Sequence, residues 1–269
     1  MKKILISCPQ YTAQVLKPAL FYLNLAPNAR YPYTTSMPYK VDIVVPVYHE
    51  GELFKEFYQT AAEHVRSDWR MLVVYDIPDD STLPVAQEIA ARDPRVVPIF
   101  NPERGVAGAV KTGIRTATAD AVFVTAVDLL EDLKKTDEMA ALFYEKNYTI
   151  VAPSRYMRGG ERHDGKLLNR TLSRLAGLTL HFLTRLPIHD ATNGSKMYRK
   201  SFLDSITLES TRGWEIALEI TVKAHAAKKP MTEIPVIQEK RTKGVSKFKM
   251  LKWLPRYLRW YWFAVRNSF

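Results

Sequence analysis

The chain is poor in cysteine. Its 269 residues include one, Cys8, so no disulfide can form within it, and a reducing compartment fits. It also lacks a long apolar run. No stretch approaches the ~18 uncharged apolar residues of a spanning helix. The run "ILIS" near the amino end is too short for a signal-peptide core. Repeats and low-complexity tracts are missing, and 46% of the residues are hydrophobic, enough for one large folded domain. His163, His181, His189 and His225 show no metal-ligand spacing. The segment "GVAGAVKTG" has neither the G-x-G-x-x-G of a dinucleotide site nor the Lys-Ser/Thr ending of a P-loop. No nucleophile-elbow motif supports Ser/His/Asp hydrolysis. A last absence is local. From Lys240 to Phe269 there is no acid, yet nine of the 39 Lys and Arg fall there. The rest of the chain therefore carries only +2 of the +11 net charge, and the basic tail asks for a local anionic partner.

Residues 1–40 hold a strand-like "KKILIS" and a Pro- and Tyr-rich connector, and they form an extension of unclear role. Regular alternation starts at Val41. "VDIVVPV", "RMLVVYD", "RVVPIF", "ADAVFVTAV" and "YTIVAPS" read as buried strands from their β-branched runs. Helices are expected over 51–65, 83–92, 105–118 and 133–146, with another over 166–184. A loop with a short strand follows ("IHDATNGSKMYRK"), then a helix ("GWEIALEITVKAHAA") and a strand ("MTEIPVIQEKR"). Strands alternating with helices indicate an α/β fold, a mostly parallel sheet covered on both faces. In such sheets ligands bind beyond the carboxyl ends of the strands. The residues closing these strands are Tyr48, His49 and Glu50, then Asp76, then Asp128.

In chain order, several segments resemble the motifs of family 2 glycosyltransferases with the GT-A fold. "VVPVYHEGELF" is similar to the opening P-x-Y-[NH]-E, "VVYDIPDDST" to D-D-G-S, and "RGVAGAVKTGIRTATADAVFVTAVD" to the Gly-rich helix, strand and D-x-D. "PSRY", "HDATNGSKMYRK", "EIPV" and "RTKGVSK" resemble the dolichol- or polyprenyl-phosphate mannosyltransferase branch. The resemblance spans about residues 41–250, and its ordered set is more specific than any one motif. It implies a GT-A domain over 41–246 and a basic amphipathic helix over 247–269. It also implies inverting transfer of a hexose, mannose as first choice, from a GDP- or UDP-sugar to a polyprenyl or dolichyl phosphate.

The chemistry of a sugar nucleotide agrees with the residues. A base and a ribose need hydrogen-bond acceptors, and a departing diphosphate needs charge neutralisation. Glu50 and Asp76 suit base and ribose, Pro46 and Tyr48 would shape the base pocket, and Val127 with Asp128 would close the donor site. Taken alone, Pro46 and Tyr48 read as a strand end with turn residues. Asp128 is the metal-ligand candidate, for Mg²⁺ or Mn²⁺. Ala126 replaces the first acid of D-x-D, Tyr75 the first acid of the D-D pair, and Leu130 a frequent Gln. One carboxylate with phosphates and waters still suffices for a hard cation.

On the acceptor side the resemblance implies phosphate binding by Arg155, Arg170 and Ser173, although Arg170 is one position off the family pattern. Arg170 and Arg174 read equally well as a solvated helix face. Arg241 and Lys247, with Gly244 and Ser246, match a basic lid that closes over the diphosphate. Asp190 matches an acid that positions the sugar or caps a turn. Glu215 stands where the branch often has Lys, and Glu219 matches a family acid. Catalysis would rest on Asp128, Arg241, Lys247 and Asp190.

In the tail, Lys249, Lys252, Arg256, Arg259 and Arg266 recur every three or four residues, with one gap, among Trp253, Trp260 and Trp262. Such a helix suits an anionic bilayer surface. Packing on its own domain is the competing reading, and Pro255 is expected to kink the helix or start a new one. The expected location is thus peripheral, on the cytoplasmic side of a membrane. A nucleic-acid partner would leave the strand-end acids unexplained and is not expected. Two other functions fit the same motifs: transfer to a glycan or protein hydroxyl with Asp190 as base, and a sugar-nucleotide binding module that has lost turnover. Nothing in the sequence fixes the oligomeric state.

Overall fold

The computed structural model describes residues 37–163, 167–239 and 250–267. The extension before Met37 and the basic segment carrying Arg241, Gly244, Ser246 and Lys247 lie outside the described residues.

The β-branched runs form the sheet. β1 (Met37–Val47) pairs in parallel with β2 (Ser67–Tyr75) and β4 (Ala121–Val124), and β2 with β3 (Val96–Phe100). The crossovers are α1 (Glu52–His64), α2 (Thr82–Ala90) and α3 (Val106–Thr116). After β4 come α4 (Leu130–Lys134), α5 (Thr136–Glu145) and β5 (Ile150–Ser154). The second half adds β6 (Glu161–Arg162), α6 (Leu167–Thr184), β7 (Lys196–Arg199) and α7 (Lys200–Ser205). It ends with α8 (Glu215–Ala226), β8 (Met231–Pro235), β9 (Ile237–Gln238) and α9 (Met250–Arg266). The main sheet has the order β3-β2-β1-β4-β7-β5-β8, and β6 pairs with β9 separately. β7 runs antiparallel between β4 and β5, while β8 is parallel to β5. The entry into β7 therefore lies at the same edge as the exits of β1, β2, β4, β5 and β8.

Successive residues of a strand face opposite sides of a sheet, and both sides are buried here. Ile43, Val45, Met71, Val73 and Phe123 pack under α1, α2 and α5 with Phe54, Phe57, Ile89 and Phe143. Val44, Leu72, Val74, Val122 and Val124 pack on the other face with Ile114, Leu180, Leu218, Ile220 and Trp260. Each such side chain stabilises the fold by roughly 1.5–3 kcal/mol in transfer terms. The glycines of "GVAGAVKTG" serve packing: a Cβ on Gly113 would lie 2.2 Å from Val44 Cγ1.

Three details differ from expectation. The fourth strand ends at Val124, and the chain turns at once, with Leu129 N donating to Ala126 O at 3.0 Å. The helix expected over 133–146 starts earlier and breaks at Lys135; there Thr136 Oγ1 donates to Leu133 O at 2.6 Å, a local bond that competes with the helical ladder. Helix α9 runs through Pro255 as one helix, so no new helix starts there. The lost backbone bond is offset by packing: Trp260 and Ala264 are buried in the core, and Trp260 Nε1 donates to Ser210 Oγ at 3.1 Å.

Candidate active site

At the exits of β1 and β2 the backbone is stitched together by carboxylates. Asp80 Oδ1 accepts from His49 N at 3.0 Å and from Thr82 N at 2.8 Å. Thr82 Oγ1 accepts from Glu50 N at 2.9 Å. These bonds fix the loop Tyr48–Gly51, in which His49 and Gly51 have φ of 55° and 47°. Tyr48 is 51% exposed and stands edge-on to His49. Asp76 is oriented from both sides: Oδ1 accepts from Asn101 Nδ2 at 2.7 Å and Oδ2 from Gly105 N at 2.6 Å. Each oxygen keeps a further lone pair for a ligand. Asn101 is itself fully buried and accepts from Thr112 Oγ1 and Glu103 N. Sequence reasoning missed Asn101. Its signal was its place directly after β3, level with Asp76.

Because β2, β1 and β4 are adjacent and parallel, the topology brings Glu50, Asp76 and Asp128 to one edge. Pro46 precedes the β1 exit, and Val127 is buried beside Asp128 in the turn after β4. Among the described residues, no three acids, histidines or cysteines gather into a metal-holding group. A hard cation arriving with a diphosphate would need as little as one protein carboxylate, and Asp128 stands at this edge to supply it.

The other half of the edge is built on buried charge. Arg155, at the end of β5, is 8% exposed and grips Asp190 with two arms, Nε to Oδ2 at 2.6 Å and Nη2 to Oδ1 at 2.8 Å. Its backbone N donates to the same carboxylate, and Nη1 donates to Gln238 Oε1 at 3.0 Å. Burial alone would raise the Asp190 pKa, but Arg155 overrides it and holds the carboxyl below the ordinary range. The structure thus gives Arg155 and Asp190, expected to meet phosphate and sugar, each other as immediate partners. Ser173 Oγ pairs with Thr192 Oγ1 at 2.8 Å and ties α6 to the turn after Asp190.

Two more buried charges lie beside this pair. Lys196 Nζ donates to the carbonyls of Ala191 and Asn193, holding that turn closed. Burial pushes the Lys196 ammonium down to about 7, against the pull of Asp190. Asp132 is 2% exposed, and burial pushes its carboxyl up to about 7, against the pull of Arg155. Lys196 was not foreseen, since it reads as one polar position in a charged strand. Asp132 reads from sequence either as help for the metal at Asp128 or as a solvated acid at a helix start, and its burial corrects the solvated reading.

A cavity of about 740 Å³ opens next to Arg155. Arg158, Arg162, Arg170 and Arg174 line it together with the apolar Leu175 and Leu178 of α6. Arg170 thus lines the same cavity as Arg155.

A family comparison decides the class. The profile of Glycosyl transferase family 2 matches residues 42–207. The chain belongs to glycosyl transferase family 2. It is 28% identical over 235 residues to a dolichol-phosphate mannosyltransferase of Pyrococcus furiosus, covering 82% of this chain and 64% of that one. It is 26% identical over 217 residues to an undecaprenyl-phosphate 4-deoxy-4-formamido-L-arabinose transferase of Pseudomonas fluorescens, covering 79% and 61%. To a polyprenol monophosphomannose synthase of Mycolicibacterium smegmatis it is 24% identical over 238 residues, covering 82% and 89%. This family 2 chain therefore spans less than two thirds of the length of the first two relatives. In fold it is similar to glucosyl-3-phosphoglycerate synthase from Mycobacterium tuberculosis crystallised with UDP, with a TM-score of 0.61 at 12% identity, covering 85% of this chain and 80% of that one. The same synthase crystallised with Mn²⁺, UDP and glucosyl-3-phosphoglycerate gives 0.59 at 13% identity, covering 86% and 80%. The family 2 chain has the GT-A fold.

Proposed function

We propose that this chain moves a hexose from a nucleoside diphosphate sugar to a polyprenyl phosphate at a membrane surface. The observation that carries the reading is the cavity beside Arg155. Four further arginines face a wall of leucines there, a pairing that suits a phosphate carried on a hydrocarbon chain. The relatives named for polyprenyl-phosphate transfer support it, and mannose is the first choice of sugar.

In this reading Glu50 and Asp76 hold base and ribose, Pro46, Tyr48 and Val127 bound the nucleotide pocket, and Arg170 and Arg174 receive the acceptor phosphate. Arg155 and Asp190 position the turn between the two substrates, with Ser173 as its tie to α6. An oxygen of the acceptor phosphate attacks the anomeric carbon, the bond from that carbon to the diphosphate breaks, and the nucleoside diphosphate leaves with inversion. The attacking phosphate is already an anion at neutral pH, so no strong base is needed. Asp190, buried and bonded three times to Arg155, is a poor base, which disfavours a hydroxyl acceptor. Bound at Asp128, Mg²⁺ or Mn²⁺ would offset the charge growing on the leaving diphosphate. Arg241 and Lys247, with Gly244 and Ser246, complete the proposal as a basic lid over that diphosphate.

No helix of the described residues is long and apolar enough to cross a membrane. The outer face of α9 leaves Leu254, Leu258 and Trp262 exposed near Arg266, and α6 exposes Leu175 and Phe182. These faces support peripheral contact with an anionic bilayer from the cytoplasmic side. The test is transfer from GDP-mannose and UDP-glucose to polyprenyl phosphate and to the unphosphorylated polyprenol. Product with the phosphate alone is expected. Equal product with the alcohol would overturn the acceptor assignment, and no product with any donor would favour a binding module without turnover.

A further inference from the structure

Glu215 opens α8, and its side chain is 2% exposed. Its Oε2 is buried with no hydrogen-bond partner. Across from it stands Arg256 of α9, whose Nη1 lies 3.7 Å from Glu215 Oε1. That Nη1 is likewise buried and without a hydrogen bond. At 3.7 Å the two groups attract as charges but do not share a hydrogen bond. One acceptor and one donor, on two side chains that face each other, therefore each lack a mate. Buried polar atoms are rarely left so, and an exception calls for a water or a ligand. A hydroxyl satisfies both at once: it donates to the carboxylate and accepts from the guanidinium.

The place of this pair in the fold says whose hydroxyl it is. Residues 212–215 touch both halves of the site. On the donor side, Arg212 O accepts from Ala107 N at 3.3 Å, two residues past the Gly105 N that holds Asp76. On the acceptor side, the Trp214 ring lies on Gly194, so close that a Cβ there would fall 2.6 Å from it. Gly194 belongs to the turn that begins at Asp190. Gly213 is pinned as well, its would-be Cβ 2.6 Å from Glu215 Oε2 and 2.9 Å from Trp253 of α9. Tyr257, one residue after Arg256, has its phenol raised first by burial and then by Glu215, while Arg155 pulls the other way. Glu215 and Arg155 thus act on the same phenol.

We propose that Glu215 and Arg256 form the site that reads the hydroxyls of the sugar being transferred. The proposal rests on the donor reading above, because a group lying between nucleotide and acceptor is by necessity the transferred one. It makes α9 a contributor to substrate choice as well as a surface helix.

The test is calorimetric, on the full chain, with GDP, GDP-mannose, UDP and UDP-glucose, in the parent and in Glu215→Gln and Arg256→Lys. In the parent, one nucleotide sugar is expected to bind more tightly than its own diphosphate. Both variants should lose most of that increment, on the order of tenfold, while diphosphate affinity stays within about twofold. Glutamine keeps the shape of Glu215 and lysine the charge of Arg256, and melting curves check folding. An equal loss for sugar and diphosphate, an unchanged increment, or a lower melting temperature alone would overturn the assignment and leave a structural ion pair. A parent that binds none of the four nucleotides would instead sink the donor reading itself.

Discussion

The two halves of the sheet edge hold their functional groups by opposite means. On the β1–β2 side, acids sit at the rim and are steered by neutral partners: Asp76 accepts from Asn101 and the Gly105 amide, and the Glu50 backbone N donates to Thr82 Oγ1. On the β5–β7 side, Arg155, Asp190, Lys196 and Asp132 are all buried and balance one another's charge. Asp76, held from both sides, keeps a lone pair on each oxygen for a neutral ligand such as a base or a ribose. Buried opposite charges make a rigid frame beside which the half-buried Arg170 and the exposed Arg174 can meet an anion. Under the proposed function, the difference gives the two sides different tasks: one binds directly, and the other holds a binding surface in place.

Breaking the frame should give the largest effect. Asp190→Ala or Arg155→Met leaves an unpaired buried charge, and urea unfolding should show a loss of about 3–5 kcal/mol for either. Replacing both by apolar residues should cost less than the two single losses added together. Asp76→Asn, on the steered side, should move stability far less.

The second effect is in pH. Asp132 titrates at about 7 when folded, since burial opposes its charge, against about 4 in an unfolded chain. Its folded pKa is raised, so its contribution is fully present below about pH 4 and is lost as the pH rises to about 7. Lys196 is lowered by burial to about 7, against about 10.4 unfolded. Its penalty grows as the pH falls from about 10 to 7. Melting temperatures across pH 4–10 should therefore flatten below pH 7 in Asp132→Asn and above pH 7 in Lys196→Met. Unchanged profiles would remove the buried charges from the account of this side. The smallest effect belongs to Ser173→Ala. Losing the bond to Thr192 should cost about 0.5–1.5 kcal/mol in unfolding experiments.

Much of the fold was legible because the signal was local. The β-branched runs of β1 to β5 and the helical stretch of α6 announce themselves within a few residues. What stayed hidden was non-local. β7 is four residues long, and its antiparallel place between β4 and β5 depends on partners far away in the chain. β6 and β9 are two residues each and exist only through one another. The strand-end acids were readable from position alone. The pairing of Arg155 with Asp190 bridges 35 positions, so each could be named but not joined. The inner face of α9 was half legible: the spacing of its basic residues was visible, and the burial of Trp260 under them was not.

The division of labour along the edge is tested most directly by a crossed measurement of KM. Parent, Asp76→Ala and Arg170→Ala/Arg174→Ala proteins are titrated with nucleotide sugar at saturating polyprenyl phosphate, and then the reverse. Asp76→Ala should raise the donor KM by about tenfold and leave the acceptor KM within about twofold, and the arginine pair should do the opposite. If both variants raise both constants alike, the two halves do not serve separate substrates and the account fails.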